Sequence, residues 1–165
     1  MTAAAGTTAH TVLDSPVGPL TVVARDAALA GLYLDGQRHR PPREAFGPRD
    51  DTALPGVREQ LEAYFAGELQ EFDVALAVDG TAFQSAVWAA LRAVPYGATC
   101  TYAELAAAVG RPTAVRAVGA ANGRNPVCIV VPCHRVVGAD GSLTGYAGGL
   151  DRKRRLLALE SRAAS

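Results

Sequence analysis

Along "HTVLDSPVGPLTVVARD" apolar positions cluster into two β-like segments, separated by the turn sequence Ser15-Pro16-Val17-Gly18-Pro19. "ALAGLYL" continues as a third strand. "DGQRHRPPREAFGPRDDTALPG" follows with no period and much proline, which predicts a loop. In "VREQLEAYFAGEL" the spacing changes: Val57, Leu61, Tyr64, Phe65 and Leu69 recur at helical intervals. "FDVALAV" then returns to strand. Together these elements form a small α+β unit ending near Asp79.

A different organisation begins at "TAFQSAVWAALRAVP". Phe83, Val87, Leu91 and Val94 recur every three or four residues and Trp88 widens the stripe, so this is a helix against a core, stopped by Pro95. "TYAELAAAVG" opens with Thr101-x-x-Glu104, a capping-box pattern, and Gly110 supplies a stop. "RPTAVRAVGAAN" restarts at once, with Pro112 suited to a first turn. Two short helices joined by about three residues make a helix-turn-helix candidate. After an Asn125-Pro126 turn, "VCIVVP" reads as a short buried strand or extended run. "GADGSLTGYAGGL" is a glycine-rich loop, and "DRKRRLLALE" a last helix with Asp151 at its cap. The expected fold is α+β, with a sheet-containing unit over 1–79 and a mostly helical unit over 80–165. No internal repeat is present.

The 165 residues suit one good-sized domain or two small ones. The opening "MTAAAGTTA" lacks the basic start and apolar core of a signal peptide, and no stretch approaches membrane-spanning length. A soluble cytoplasmic protein with no membrane partner is expected. Cys100, Cys128 and Cys133 form an odd set without CxxC spacing, which points to a reducing compartment rather than a disulfide framework. Of three histidines, His10 and His39 fall in or near sequence expected to be irregular, so no metal site and no cofactor are expected. The zero net charge conceals an asymmetry. Residues 1–80 hold six Arg against twelve acids, while residues 81–165 hold nine Arg and Lys153 against four acids. That split predicts that the second half, and not the first, meets a polyanion.

The chemistry concentrates in "VVPCHRVVG", where Cys133 directly precedes His134. A free thiol is mostly protonated at neutral pH, and a neighbouring base must raise its thiolate fraction before it is a useful nucleophile. Adjacent side chains on an extended segment point apart, so contact between the two needs a turn or a bridging water. The histidine needs a partner on its other nitrogen to fix its tautomer. Glu104 and Asp151 are committed to caps and Asp140 lies in a loop, whereas Glu160 ends the apolar "LLALE" and is free to turn inward. The residues alone leave three readings open: a nucleophile with its base, a metal-ligand pair, or two core residues.

Pro132-Cys133-His134-Arg135-Val136 resembles the signature of the O6-alkylguanine–DNA alkyltransferases, the methylated-DNA–protein-cysteine methyltransferase family. "PYGATCTYAELAAAVG", "RAVGAANGRNP", "GYAGGL" and "LLALE" resemble further family segments in order and spacing, covering residues 81–160. "SPVGPL" and "FDVALAVDG" are similar to the more variable first domain, whose fold is ribonuclease H-like. The resemblance implies that Cys133 takes the alkyl group from guanine O6 once and irreversibly. His134 would accept the thiol proton through a water, Glu160 would orient the histidine, and Asn125 would tie the Asn-Pro turn to neighbouring backbone. Tyr102 would support guanine N3, backbone near Cys133 and Val136 would read the base edge, and Tyr146, Ala147 and Gly148 would line the alkyl pocket.

The family's target atom is buried in duplex DNA, so the base must be flipped out. By resemblance, Arg116 fills the vacated stack, and Ala117, Gly119 and Ala120 give a small-residue surface for the minor groove. A mid-helix glycine costs roughly 1 kcal/mol against alanine, so Gly119 predicts a close approach. Val115 departs from the smaller residue of many relatives, and Ala147 from the serine of some. The implied partner is double-stranded DNA carrying O6-alkylguanine, bound by a monomer. The alternative is a non-catalytic protein that binds alkylated DNA, which the presence of Cys133 disfavours.

Overall fold

A computed structural model of the chain describes residues 7–164. Three antiparallel strands, β1 (Thr8–Leu13), β2 (Leu20–Arg25) and β3 (Ala28–Leu34), pair in sequence order. The Ser15 hydroxyl donates to the Gly18 carbonyl at 2.6 Å and closes the first turn, where Gly18 adopts φ +97°. His10 belongs to β1 and is buried, with Nδ1 2.9 Å from the Gly47 carbonyl.

The outer edge of β3 is shared by two segments. Leu29 pairs with Leu76 and Leu32 with Val127, each as a single parallel bridge. "FDVALAV" therefore does not extend as the strand its pattern predicts. Asp73 exchanges both backbone groups with the Gln60 side chain, at 2.8 Å each, which ties the start of that run to a helix instead of the sheet. That helix, α1 (Pro55–Phe65), ends before Leu69. Gly67 at φ +76° supports a paired C-terminal cap: Glu68 N–H donates to Ala63 and Gly67 N–H to Tyr64.

The second half comprises α2 (Ala82–Arg92), α3 (Tyr102–Ala108), α4 (Val115–Gly123) and α5 (Leu150–Ala164). Capping boxes start α2 at Thr81 with Gln84 and α3 at Thr101 with Glu104. The connection between α3 and α4 runs over 109–114, longer than expected. Pro112 lies in that connection, because Ala114 N–H bonds back to Arg111 and the first α4 bond is Val118 N–H to Ala114. A short parallel pair, β4 (Cys100–Thr101) with β5 (Val136–Val137), joins the start of α3 to the segment after Cys133. Asp151 sits inside the first turn of α5, ion-paired with Arg155 at 3.3 Å, rather than at its cap.

One apolar cluster runs through both halves and includes Leu13, Leu32, Tyr64, Trp88, Val118 and Leu156. A fully buried leucine contributes roughly 1.5–3 kcal/mol, so this shared cluster holds the two halves together. The Trp88 indole donates to the Ala121 carbonyl at 2.9 Å and pins α2 to α4. Among the described residues no helix is long and apolar enough to cross a membrane.

Candidate active site

The segment 127–131 is a tight reversal rather than a strand. Val131 N–H donates to Val127 at 2.9 Å and Ile129 stands at φ +74°. The Asn125 side chain clamps it, accepting from Val127 N–H at 3.0 Å and donating to the Val131 carbonyl at 2.7 Å. Both amide groups are therefore spent on backbone that a regular strand would have satisfied. The chain then enters a 3₁₀ turn over Cys133–Arg135. Such a turn removes the strict opposition of neighbouring side chains that an extended segment imposes on Cys133 and His134.

Cys133 is 4% exposed and His134 is 0% exposed. A reacting group must therefore enter the protein interior to reach the sulfur. His134 Nε2 lies 2.7 Å from Glu160 Oε2. An ionised carboxylate only accepts, so Nε2 carries the proton and neutral His134 keeps a lone pair on Nδ1. Nδ1 is buried and has no hydrogen-bond partner. Glu160 also accepts from Arg135, Nε to Oε1 at 2.8 Å and Nη2 to Oε2 at 3.0 Å, and from Tyr64 Oη to Oε2 at 2.6 Å.

These contacts set the electrostatics. Burial pushes the Glu160 carboxyl up, but the donors His134, Arg135 and Tyr64 outweigh it and hold the pKa at about 2. Burial lowers His134, against the opposing pull of Glu160. Burial likewise raises the Cys133 thiol, with Asn125 and the Lys153 charge acting in the opposite direction. The Tyr146 hydroxyl lies close enough to favour the thiolate, although its geometry falls short of a hydrogen bond and it is otherwise unpartnered.

A cavity of about 370 Å³ gathers Tyr102, Gly119, Ala120, Tyr146 and Ala147. The Tyr102 hydroxyl reaches the Gly145 carbonyl at 3.5 Å and accepts from Thr144 Oγ1 at 3.4 Å. A Cβ on Gly148 would come within 2.3 Å of Leu34 and 2.9 Å of the Tyr146 ring, so glycine lets the active-site loop pack on β3. A Cβ on Gly119 would meet Tyr102 at an ordinary 3.7 Å, so no contact within the protein demands that glycine. Arg116 and Ala117 lie exposed in the first turn of α4, outside the cavity lining, beside the 37% exposed Val115. Val136 is buried; its N–H donates to the Cys133 carbonyl and its own carbonyl accepts from Lys153.

Several participants had no assigned role in the sequence. Lys153 is fully buried and donates to the carbonyls of Val136 at 2.5 Å and Thr144 at 2.8 Å. Tyr64 looked like a core position of an amphipathic helix, and Arg135 like one letter of a motif. Asn122 lines the cavity and donates weakly to the Cys133 carbonyl at 3.4 Å, while its own Oδ1 has no partner. Arg38 and His39 bring the first half to the cavity, through an Arg38 N–H to Ala147 carbonyl bond of 2.8 Å. "RHRPPR", basic inside an acidic half, was the available signal. Cys128 is buried with its thiol on the Leu32 carbonyl at 3.1 Å, and Cys100 is half-buried, so both pack. No group of three metal-ligating side chains occurs among the described residues.

Comparisons with known proteins agree with this layout. Residues 9–78 match the family model of the 6-O-methylguanine DNA methyltransferase ribonuclease-like domain, and residues 82–162 that of its DNA-binding domain. A methylated-DNA–protein-cysteine methyltransferase of Mycolicibacterium paratuberculosis is 54% identical, covering 93% of this chain and 92% of its own. The crystal structure of the Mycobacterium tuberculosis O6-methylguanine methyltransferase superposes with a TM-score of 0.89 at 51% identity, covering 96% and 95% of the two chains. The M. tuberculosis protein in complex with DNA gives 0.89 over 94% of each chain, again at 51% identity. With both domains matched in order and identity above half along nearly the whole length, the chain belongs to the 6-O-methylguanine DNA methyltransferase family.

Proposed function

We propose that the protein repairs DNA by extruding O6-alkylguanine from the duplex and moving the alkyl group irreversibly onto Cys133. The observation that carries this reading is the buried Cys133 beside a His134 whose Nε2 is fixed by Glu160 and whose Nδ1 is free to take a proton. The thiol proton passes to Nδ1 through a water. The sulfur attacks the alkyl carbon, the S–C bond forms as the C–O6 bond breaks, and guanine leaves with the electron pair and is reprotonated. No step breaks an unactivated thioether, so each molecule acts once. Tyr102 supports N3, and the cavity of Tyr102, Tyr146 and Ala147 receives the base. Gly148 shapes its wall through Tyr146.

In the same reading the α4 face of Arg116, Ala117, Gly119 and Ala120 enters the minor groove of duplex DNA bound by a monomer, and Arg116 occupies the gap left by the flipped nucleotide. The functional units are residues 1–79 and 80–165. Three free thiols fit a cytoplasmic setting. Intact-mass measurement after mixing with methylated duplex tests the whole reading. One added methyl, mapped to Cys133, is expected, with none on Cys133→Ser. A product lacking protein alkylation but retaining lesion binding would favour a non-catalytic damage binder.

A further inference from the structure

The hydrogen bond from Tyr64 to Glu160 joins residues 96 positions apart, one from each half of the chain. Tyr64 is 0% exposed and lies on α1, in the ribonuclease-like half. Its ring is fixed by edge-on packing against Phe65 and Tyr96, with centroids 5.2 and 6.2 Å away, and by Phe72 at 5.4 Å. A ring held on three sides has little freedom to re-aim its hydroxyl. The oxygen it reaches, Oε2, is the one that receives His134 Nε2–H at 2.7 Å.

We propose that Tyr64 is a positioning residue for alkyl transfer, through which the first domain fixes the carboxylate of Glu160 and so aims His134 at Cys133. This rests on the transfer reaction proposed above. Arg135 grips both oxygens of the carboxylate, and on Oε2 its Nη2 competes with His134 for lone pairs, so the pair with Arg135 does not by itself favour the histidine. Tyr64 pulls on Oε2 and sets which edge faces the histidine. If its hydroxyl is lost, a buried lone pair is left without its donor, and Glu160 can satisfy it by turning toward Arg135 and away from His134. The histidine ring then loses the orientation that its Nε2 bond to Glu160 imposes on Nδ1. The groups facing this cluster are Arg135, Tyr96 and Lys153; Arg135 already donates to Oε2, and the buried Tyr96 hydroxyl makes no hydrogen bond to it.

The test is a double-mutant cycle on the full chain. Tyr64→Phe, Glu160→Gln and the pair are compared by single-turnover transfer at saturating methylated duplex, and by alkylation of Cys133 with a small haloacetamide, which needs no DNA. Tyr64→Phe alone is expected to slow both reactions about tenfold, the scale of one charge-assisted hydrogen bond, with duplex affinity unchanged. Added to Glu160→Gln it should change neither rate by more than about twofold, because a residue acting through Glu160 has nothing left to position. Equal penalties in both backgrounds would assign Tyr64 to packing and overturn the proposal, as would a Tyr64→Phe protein as fast as the parent. Failure of the parent chain to alkylate Cys133 from duplex sinks the repair reading instead, and the haloacetamide cycle still decides the role of Tyr64. Should Tyr64→Phe melt far below the parent, Phe72→Leu, which loosens the ring and keeps the hydroxyl, is compared: it must slow Cys133 less than Tyr64→Phe does.

Discussion

Lys153, fully buried on α5, places its Nζ 2.5 Å from the carbonyl of Val136, three residues after Cys133. The same ammonium takes the carbonyls of Thr144 and Gly145 at 2.8 and 3.3 Å. One charge thus ties the segment that follows Cys133 to the loop that carries Tyr146. Lys153→Met preserves length and apolar stem but leaves three carbonyls without their donor. Transfer should slow by at least about tenfold, and proteolysis within 139–149 should accelerate as the loop opens. Unchanged cleavage would show that other contacts hold the loop.

Glu160 links the site to acid stability. Its pKa falls to about 2 in the folded protein from an ordinary 4.5, so it binds its proton more readily when unfolded. Its contribution is therefore full above about pH 4.5 and disappears as pH falls toward 2, and its scale is on the order of 3 kcal/mol. At pH 7 Glu160→Gln should lower the melting temperature by several degrees, and the gap to the parent should narrow below pH 4.5. Burial depresses His134, which adds a loss of stability as pH falls below its ordinary 6.5. A gap that stays constant from pH 7 to 3 would mean the carboxylate is not ionised in the fold.

Methylation of Cys133 should destabilise the protein. Cys133 is 4% exposed, so an added methyl crowds its packed surroundings, at a cost typically on the order of 1–3 kcal/mol. Calorimetry before and after complete transfer should show a drop of several degrees. No change would indicate that space for the methyl already exists beside the sulfur.

Arg116→Ala separates DNA handling from chemistry. Arg116 is exposed on α4, whereas His134 and Glu160 are buried with Cys133. The substitution should slow repair of alkylated duplex by roughly tenfold or more, because part of the unstacking cost is no longer offset, and leave reaction with free alkylguanine base near the parent rate. Both rates are taken at one salt concentration, since phosphate contacts are salt-sensitive. Equal losses on the two substrates would give Arg116 a structural role instead.

The chain's periodicity determined its elements wherever local physics dominates. The hairpin around Ser15–Gly18, the stripe of Val87, Leu91 and Trp88, and the caps at Thr101 and Glu104 all follow from contacts within a few residues. The motif around Cys133 was legible through its resemblance to a known family, and Glu160 as the acid of the second half not assigned to a cap or a loop. Long-range competition decided the rest. "FDVALAV" and "VCIVVP" both have strand composition, but one edge of β3 had to serve both, so each keeps a single bridge to it. The local pattern also could not show that Gln60 would claim the backbone groups at the start of the first run. Tyr64 and Lys153 depend on packing between elements 80 or more residues apart or on a loop's final path, which carries no periodic signature. Hydrophobic spacing specifies which face of a helix is buried; which buried polar atom meets which partner is set only when the faces come together.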